Sequence, residues 1–200
     1  MNGIEKSKVA IRYWLLAKEY YKALQAMEWA MEHHTGTRKD GKTPEFSHQL
    51  SVVYYLRTIY QNLLYPEETF CAAFLHDIAE DYDVSIKEIS GTFGENIALT
   101  TRILTRKRDT SNQHYYDEIS RNCQASIIKA ADRIHNVQTM VGVFNKDKQK
   151  RYVKETNEYV IPMIKRARRL FPQQEPSYEN AKHMLRCQIE LIEAIHGGKI

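Results

Sequence analysis

Cysteine is scarce in this sequence of 200 residues, and so are the spacings that give it a structural role. Cys71, Cys123 and Cys187 are odd in number, lie far apart and form no C-x-x-C motif. Their pattern excludes a disulfide framework or a zinc–thiolate site as the organising feature of the fold. A reducing compartment, the cytoplasm, is the simplest fit.

Long apolar runs are lacking as well. No stretch approaches the roughly 20 apolar residues that cross a bilayer, and residues 1–8 are polar, unlike the apolar centre of a signal peptide. The formal net charge of +4 is mildly basic, which favours anionic ligands without requiring nucleic acid. The sequence therefore predicts a cytoplasmic protein with a small-molecule partner and without membrane or nucleic-acid binding. A homo-oligomer is left open.

Glycine, proline and alternating β-branched residues are few, with 8 glycines and 5 prolines in the chain. Apolar residues instead recur at helical spacing along most of its length. The pattern predicts an all-α protein, and Ser85 with Glu88 forms a capping box that opens one of its helices. The predicted helices cover about 7–34, 47–63, 67–79, 85–92, 95–104, 115–140 (as one or two helices) and 148–170.

The whole chain, 1–200, is predicted to form one domain. Its core covers about 23–170, and a C-terminal helix over about 177–196 packs on that core. No internal repeat, low-complexity tract or convincing linker divides the sequence.

The most informative stretch is 76–83, where a histidine and four carboxylates directly follow a dense apolar run. On a continuous helix His76 lies above Glu80 and Asp77 lies above Asp81, because each pair is four residues apart. Like charges in such positions destabilise a helix unless a cation lies among them. A solvated helix end with a capping histidine is the ordinary alternative, but the apolar residues immediately before His76 favour a metal site.

Two further side chains offer metal ligands elsewhere in the sequence. His48 lies at the start of a predicted helix, and Asp132 follows the largely apolar segment 127–131. Taken alone, each has an ordinary role, as a helix-start residue and as an ion-pair partner. With His76 and Asp77 they form a set, the ligand cluster, of two imidazoles and two carboxylates. Such a set suits Mn²⁺, Fe²⁺, Co²⁺ or Zn²⁺ better than calcium, and the lack of a thiolate argues against a closed structural zinc site.

The order H…HD…D in the ligand cluster resembles the HD phosphohydrolase superfamily. Wider motifs resemble the alarmone-hydrolase domain of RelA/SpoT proteins and the small alarmone hydrolases, over about residues 23–170. These motifs are 38–41 (RKDG), 75–81 (LHDIAED), 93–94 (FG), 129–136 (KAADRIHN) and 156–162 (TNEYVIP). The resemblance implies a single all-α HD-domain fold with a central metal site.

The resemblance also implies an activity, the hydrolysis of the 3′-pyrophosphate of (p)ppGpp to GDP or GTP and pyrophosphate, usually with Mn²⁺. The ligand cluster matches the metal ligands of that family. Glu80 and Asp81 match its catalytic acid pair, and three residues match its substrate contacts, namely Arg38, Lys39 and Asn136.

The sequence departs from that family at two positions. Gln49 stands where a proline usually follows the first metal histidine, and this change leaves the ligands intact. Gln138 stands where the family has an arginine, and this change bears on recognition of the base or the phosphates.

Other functions are compatible with the same residues. An HD phosphohydrolase for a nucleoside monophosphate or NADPH is one, and a non-catalytic nucleotide-binding module is another. The intact ligand cluster and the Glu80–Asp81 pair weigh against the binding module. His135, three residues after Asp132, is a further ligand, a residue packed beside the site or one that faces the nucleotide. Tyr115 and Tyr116 either stack on a base or pack in the interior, and packing is the more common role for such a pair.

Overall fold

A computed structural model describes residues 3–198, and this part of the chain is helical almost throughout. Its only β structure is an isolated bridge between Thr37 and Pro44 within residues 3–198. The α-helices of these residues are α1 (Gly3–Ala17), α2 (Tyr21–His33), α3 (Phe46–Thr58), α4 (Pro66–Leu75), α5 (Ile78–Asp81), α6 (Ile86–Phe93), α7 (Glu95–Leu104), α8 (Asn112–Ser120), α9 (Cys123–Met140), α10 (Lys146–Glu155), α11 (Ile161–Leu170) and α12 (Glu175–Ile195). The prediction of an all-α protein is confirmed.

The prediction of one long helix over 7–34 is wrong. The chain turns between α1 and α2, where Glu19 adopts a left-handed conformation with φ +58°. The Tyr20 N–H donates to the Leu15 carbonyl at 2.9 Å, which closes the end of α1. The turn places Trp14 edge-on against Tyr20 and Phe70, with ring centroids 5.9 and 5.1 Å apart. Aromatic packing between α1 and α4 therefore stabilises a break that no glycine or proline marks.

Most of the remaining helix predictions hold, several with shifted ends, but the one over 67–79 does not, because α4 ends at Leu75. The Ser85 hydroxyl caps α6 by accepting the Glu88 N–H at 3.1 Å, and α7 has the predicted bounds. The stretch 115–140 is two helices, because Asn122 ends one turn and its side chain caps α9 at the Ala125 N–H, 2.7 Å away. Helix α3 ends before a 3₁₀ turn, Tyr60–Asn62, and a π-helical turn, Thr156–Val160, joins α10 to α11.

Helix α9 lies at the centre of the fold. It packs against α3, α4, α7, α8, α11 and α12, and one hydrophobic core runs from Ile11 in α1 to Ile192 in α12. Helix α12 is tied to α9 through Tyr178, whose hydroxyl lies 2.7 Å from the Ser126 hydroxyl. Polar residues on α9 are thereby held at fixed positions in the interior. Within residues 3–198, no helix is both long enough and apolar enough to span a membrane.

Candidate metal centre and its two cavities

Three separate pieces of backbone bring the ligand cluster together. His48 lies in the first turn of α3 and Asp132 lies midway along α9. His76 follows the last residue of α4, and Asp77 precedes α5. The prediction that residues 76–81 continue one helix is wrong, because α4 stops at Leu75 and a short new helix starts at Ile78. Both His76 and Asp77 face His48 from this junction between α4 and α5.

The side-chain atoms of the ligand cluster converge on one point. The Nε2 atom of His48 lies 3.2 Å from His76 Nε2, 3.2 Å from an Asp132 oxygen and 3.6 Å from an Asp77 oxygen. His76 Nε2 lies 3.1 Å from the same Asp77 oxygen. His48, His76 and Asp132 are at most 4 % exposed, whereas the Asp77 side chain is 31 % exposed and marks the open side. Two imidazole nitrogens and two carboxylates so close together fit a divalent cation.

Hydrogen bonds on the far side of each ring fix how the histidines face this point. His76 Nδ1 donates to the Ala73 carbonyl at 2.8 Å, so Nε2 is the nitrogen that faces the cluster. His48 Nδ1 lies 2.7 Å from Nδ1 of His135. Each ligand histidine thus has a partner at the nitrogen that faces away from the cluster.

The charges of the cluster compensate one another when no cation is bound. Burial alone would lower the pKa of His76, but the carboxylate of Asp77 outweighs burial and raises that pKa to about 9. Burial alone would raise the pKa of Asp77, but pairing with His76 holds that pKa below its ordinary range. A proton on His76 thus balances the carboxylates. A divalent cation at this point would displace that proton, so metal binding and proton release are coupled.

Asp132 connects the cluster to two residues that the sequence linked to substrate. One Asp132 oxygen accepts Lys129 Nζ at 2.8 Å, and the other accepts the side-chain N–H of Asn136. The amide oxygen of Asn136 in turn accepts Arg38 at 2.9 Å. The ion pair between Lys129 and Asp132 that offered an ordinary role for Asp132 is therefore present, and it coexists with the contact to His48. Arg38 and Asn136 are therefore held by hydrogen bonds that lead to a carboxylate of the ligand cluster.

A polar cavity of about 260 Å³ opens beside the cluster. Besides His48, Asp77 and Asp132, it is lined by Arg38, Glu80, Arg106, Tyr115, Tyr116, Lys129, Arg133, Asn136, Tyr152 and Glu155. A second space, the apolar pocket, measures about 210 Å³ and is lined among others by Lys39, Met140, Val143 and Phe144. Arg38, Asn136 and Tyr152 line both and form the wall between them. The site therefore offers adjoining spaces for a charged group and an apolar one.

The two acids predicted as a catalytic pair occupy different surroundings. Glu80 lines the polar cavity, and its carboxylate accepts the backbone N–H of Arg106 at 3.1 Å. Asp81 is exposed beside Asp77 and Glu45, outside the lining of that cavity. Partial desolvation and these neighbouring carboxylates raise the pKa of Asp81 to about 6.

The sequence predicts no site role for two residues of the polar cavity, Arg133 and Glu155. Arg133 donates to the Tyr116 hydroxyl at 2.9 Å and to Glu155 at 3.0 Å, and Arg106 reaches Glu155 at 3.9 Å. Tyr116 is interior, 1 % exposed, as the packing alternative for the tyrosine pair predicted. The only sequence signal for Glu155 was its position directly before the 156–162 motif, which here forms the π-helical turn. Such turns are frequent at functional sites.

The two departures from the family pattern lie outside both cavities. Gln49 is buried, with its amide nitrogen 3.5 Å from a His34 ring nitrogen. Gln138 is exposed on a separate groove that Tyr54 and Ile134 also line. Neither glutamine alters the lining of the polar cavity or the apolar pocket.

Comparison with known proteins agrees with this geometry. Residues 26–166 match the HD domain. A probable guanosine-3′,5′-bis(diphosphate) 3′-pyrophosphohydrolase of Synechocystis is 28 % identical over 153 residues, covering 71 % of this chain and 20 % of the relative. The guanosine-3′,5′-bis(diphosphate) 3′-pyrophosphohydrolase of Aquifex aeolicus is 30 % identical over 150 residues, covering 71 % of this chain and 21 % of the relative. The bifunctional (p)ppGpp synthase/hydrolase SpoT of Escherichia coli is 25 % identical over 177 residues, covering 83 % of this chain and 24 % of the relative.

The chain thus spans about a fifth to a quarter of the length of these relatives. A solved structure of a metazoan ortholog of SpoT, described as hydrolysing ppGpp, has the same fold, with a TM-score of 0.63 and 21 % identity. The matched region covers 80 % of this chain and 93 % of the metazoan chain. With the HD domain matched over most of its length and a histidine–aspartate cluster at the centre of its fold, the chain belongs to the HD domain family.

Proposed function

We propose that this protein hydrolyses the 3′-pyrophosphate of (p)ppGpp, releasing GDP or GTP and pyrophosphate, with Mn²⁺ as its metal. The activity is the one that the names of the Synechocystis and Aquifex relatives state. The observation that carries the proposal is the shared wall of Arg38, Asn136 and Tyr152, which joins a charged space at the ligand cluster to an apolar one. A guanosine with a phosphate chain at its ribose has the same division into an apolar and a polyanionic part.

The ligand cluster is proposed to hold the metal. Two imidazoles and two carboxylates suit Mn²⁺, and their burial leaves the Asp77 side open to the polar cavity. A cation held there would lower the pKa of a water molecule and polarise a phosphorus–oxygen bond. The roles of His48, His76, Asp77 and Asp132 as ligands are part of the proposal.

Side chains around the cluster would bind the substrate and handle the proton. Glu80, on the wall of the polar cavity, is proposed to accept the proton of the attacking water or to orient that water. Asp81, beside Asp77, would be the second carboxylate of the Glu80–Asp81 pair. A proton bound by two coupled carboxylates belongs to the pair and is not assigned to one of them. Arg38 would bind the pyrophosphate through two N–H groups, Lys39 would add a point charge, and Asn136 would hold Arg38 in place.

We also infer that residues 1–200 act as one HD domain located in the cytoplasm. The continuous core from α1 to α12 supports a single domain. The cysteines, all of which are free, suit a reducing compartment.

A product panel tests the proposed function. The purified protein is incubated with Mn²⁺ and, separately, with ppGpp, GMP, deoxynucleoside monophosphates and NADPH, and the products are separated by chromatography. Pyrophosphate and GDP from ppGpp alone are expected, and the Asp132→Ala variant should form neither. Inorganic phosphate from another nucleotide, with ppGpp untouched, would assign this protein to another HD phosphohydrolase activity. Binding of ppGpp without any product would indicate a nucleotide-binding module.

A further inference from the structure

His135 faces a ligand histidine rather than the cluster itself. Its Nδ1 lies 2.7 Å from Nδ1 of His48, and the two ring centroids are 4.8 Å apart with the planes inclined by 45°. His48 comes from α3 and His135 from α9, so the contact spans two helices that pack against each other.

Two Nδ1 atoms at this distance share a single proton, because one nitrogen must donate and the other must accept. His48 can bind a cation through Nε2 only if that nitrogen carries a lone pair, and its ring proton must then lie on Nδ1. Nδ1 of His135 must therefore be the acceptor, which puts the proton of a neutral His135 on its Nε2. One geometric contact thus specifies the protonation sites of both rings.

The other ligand histidine has a simpler arrangement. His76 Nδ1 faces the carbonyl of Ala73, an atom that can only accept, so its tautomer is fixed by the backbone. The partner of His48 is an imidazole, which can donate or accept according to its own protonation. The tautomer of His48 therefore depends on which residue stands at position 135, whereas the tautomer of His76 depends on no side chain.

We propose that His135 is a positioning residue of the metal site, which holds His48 in the tautomer that turns a lone pair to the cation. The proposal rests on the metal site proposed above. It excludes the role of a further ligand through Nδ1, since that nitrogen is engaged by His48. It also gives His135 a function distinct from contact with the nucleotide, although its ring lines the apolar pocket.

The test compares substitutions that keep or remove an acceptor at the position of Nδ1. The amide of His135→Asn replaces Nδ1, the amide of His135→Gln lies one bond further out near Nε2, and His135→Leu has no acceptor. Mn²⁺ dissociation constants are measured calorimetrically on metal-free protein. The Leu and Gln variants should bind Mn²⁺ about 10- to 100-fold more weakly, the usual effect of losing the partner of a ligand histidine. The Asn variant should stay within about threefold of the wild type.

Controls separate this effect from damage to the fold and from the proposed function. Thermal unfolding of the metal-free variants reports on the fold, and His183→Leu, on α12 away from the site, should leave Mn²⁺ binding unchanged. Equal Mn²⁺ affinity in the Asn and Gln variants, or wild-type affinity in either Gln or Leu, would overturn the proposal. If the pattern holds but ppGpp is not hydrolysed, only the proposed substrate fails. A wild type that does not bind Mn²⁺ would overturn the metal site and this inference together.

Discussion

The polar cavity and the apolar pocket share a wall but are built in different ways. In the polar cavity, charged groups are already paired across helices, as Lys129 is with Asp132 and Arg133 with Glu155. The apolar surface of the apolar pocket comes from Met140 at the end of α9 and from Val143 and Phe144 in the turn that follows, and polar side chains such as those of Lys39 and Thr43 line the rest. The first space is fixed before any ligand arrives, whereas the second is shaped by a helix end and a short turn.

The charges around the polar cavity explain why a polyanion would need a cation to bind there. Among the described residues lining the polar cavity, four are cationic and four are anionic. The side chains that line the polar cavity therefore provide no excess positive charge for a polyanion, and a divalent cation in the ligand cluster would supply it. We expect changes in the polar cavity to act on metal binding and chemistry, and changes in the apolar pocket to act on affinity.

The largest effect is expected from removing a metal ligand on the polar side. Asp77→Ala should abolish turnover of ppGpp and weaken Mn²⁺ binding together, because the same carboxylate completes the ligand cluster and compensates His76. Calorimetry with Mn²⁺ and a pyrophosphate assay check both effects on the same preparation. Full Mn²⁺ affinity in this variant would remove Asp77 from the site.

A smaller loss is expected when only the proposed proton acceptor changes. Glu80→Gln keeps the size of the side chain but cannot accept a proton, so turnover should fall by roughly 10²–10⁴-fold while Mn²⁺ still binds. The separation of rate from metal affinity distinguishes Glu80 from the ligands. An undiminished rate at equal Mn²⁺ affinity would exclude Glu80 from the mechanism.

A change in the apolar pocket should leave the chemistry nearly intact. Phe144→Ala removes an aromatic face that packs on Tyr152 with ring centroids 5.4 Å apart, and KM for ppGpp should rise about tenfold, equivalent to about 1.4 kcal/mol. The value of kcat should change little, because a contact between Phe144 and the nucleoside would be the same in the ground and transition states. Leu191→Ala, on the exposed face of α12, is the matched control. A drop in kcat without a change in KM would contradict the division between the two spaces.

The smallest effect is expected on the thermal stability of the protein, when Asp81 beside the ligand cluster is changed. Partial desolvation and nearby carboxylates raise the pKa of Asp81 to about 6, from 3.8. The folded protein thus holds this proton more tightly than the unfolded chain, so ionised Asp81 destabilises the fold above about pH 6, and the penalty is absent below about pH 4. Asp81→Asn should raise the Tm of metal-free protein at about pH 8 and leave it unchanged at about pH 4.

Metal provides the control for that prediction. A cation at the ligand cluster offsets the repulsion between Asp81 and Asp77, so the gain in Tm should shrink when Mn²⁺ is added. A Tm that is unchanged or lower at about pH 8 in the metal-free Asn variant would show that Asp81 carries no such penalty.

The sequence predicts which side chains come together in the ligand cluster better than it predicts the path of the chain that brings them together. His76 and Asp132 stand out because each lies next to apolar residues, and burial of a polar side chain needs a partner. The breaks at Glu19 and after Leu75 carry no glycine or proline, and contacts made far away in the chain, such as Trp14 with Phe70, decide them. The local sequence pattern around these two breaks contains no information about contacts with distant parts of the chain.

The ion pairs around the cavity escaped prediction for a related reason. Arg133 and Glu155 are 22 positions apart and meet only because α9 packs near the junction of α10 and the π-helical turn. Lys129 and Asp132, only three residues apart on one helix, could be paired from the sequence. Contacts within a helix are predictable from spacing, whereas contacts between helices depend on the tertiary fold.

The most direct test of this account is a crystal structure with Mn²⁺, using anomalous diffraction to locate the ion. The account predicts one strong anomalous peak within bonding distance of His48, His76, Asp77 and Asp132, at the edge of the polar cavity. A peak at other residues, or none at a concentration of Mn²⁺ that supports turnover, would contradict it.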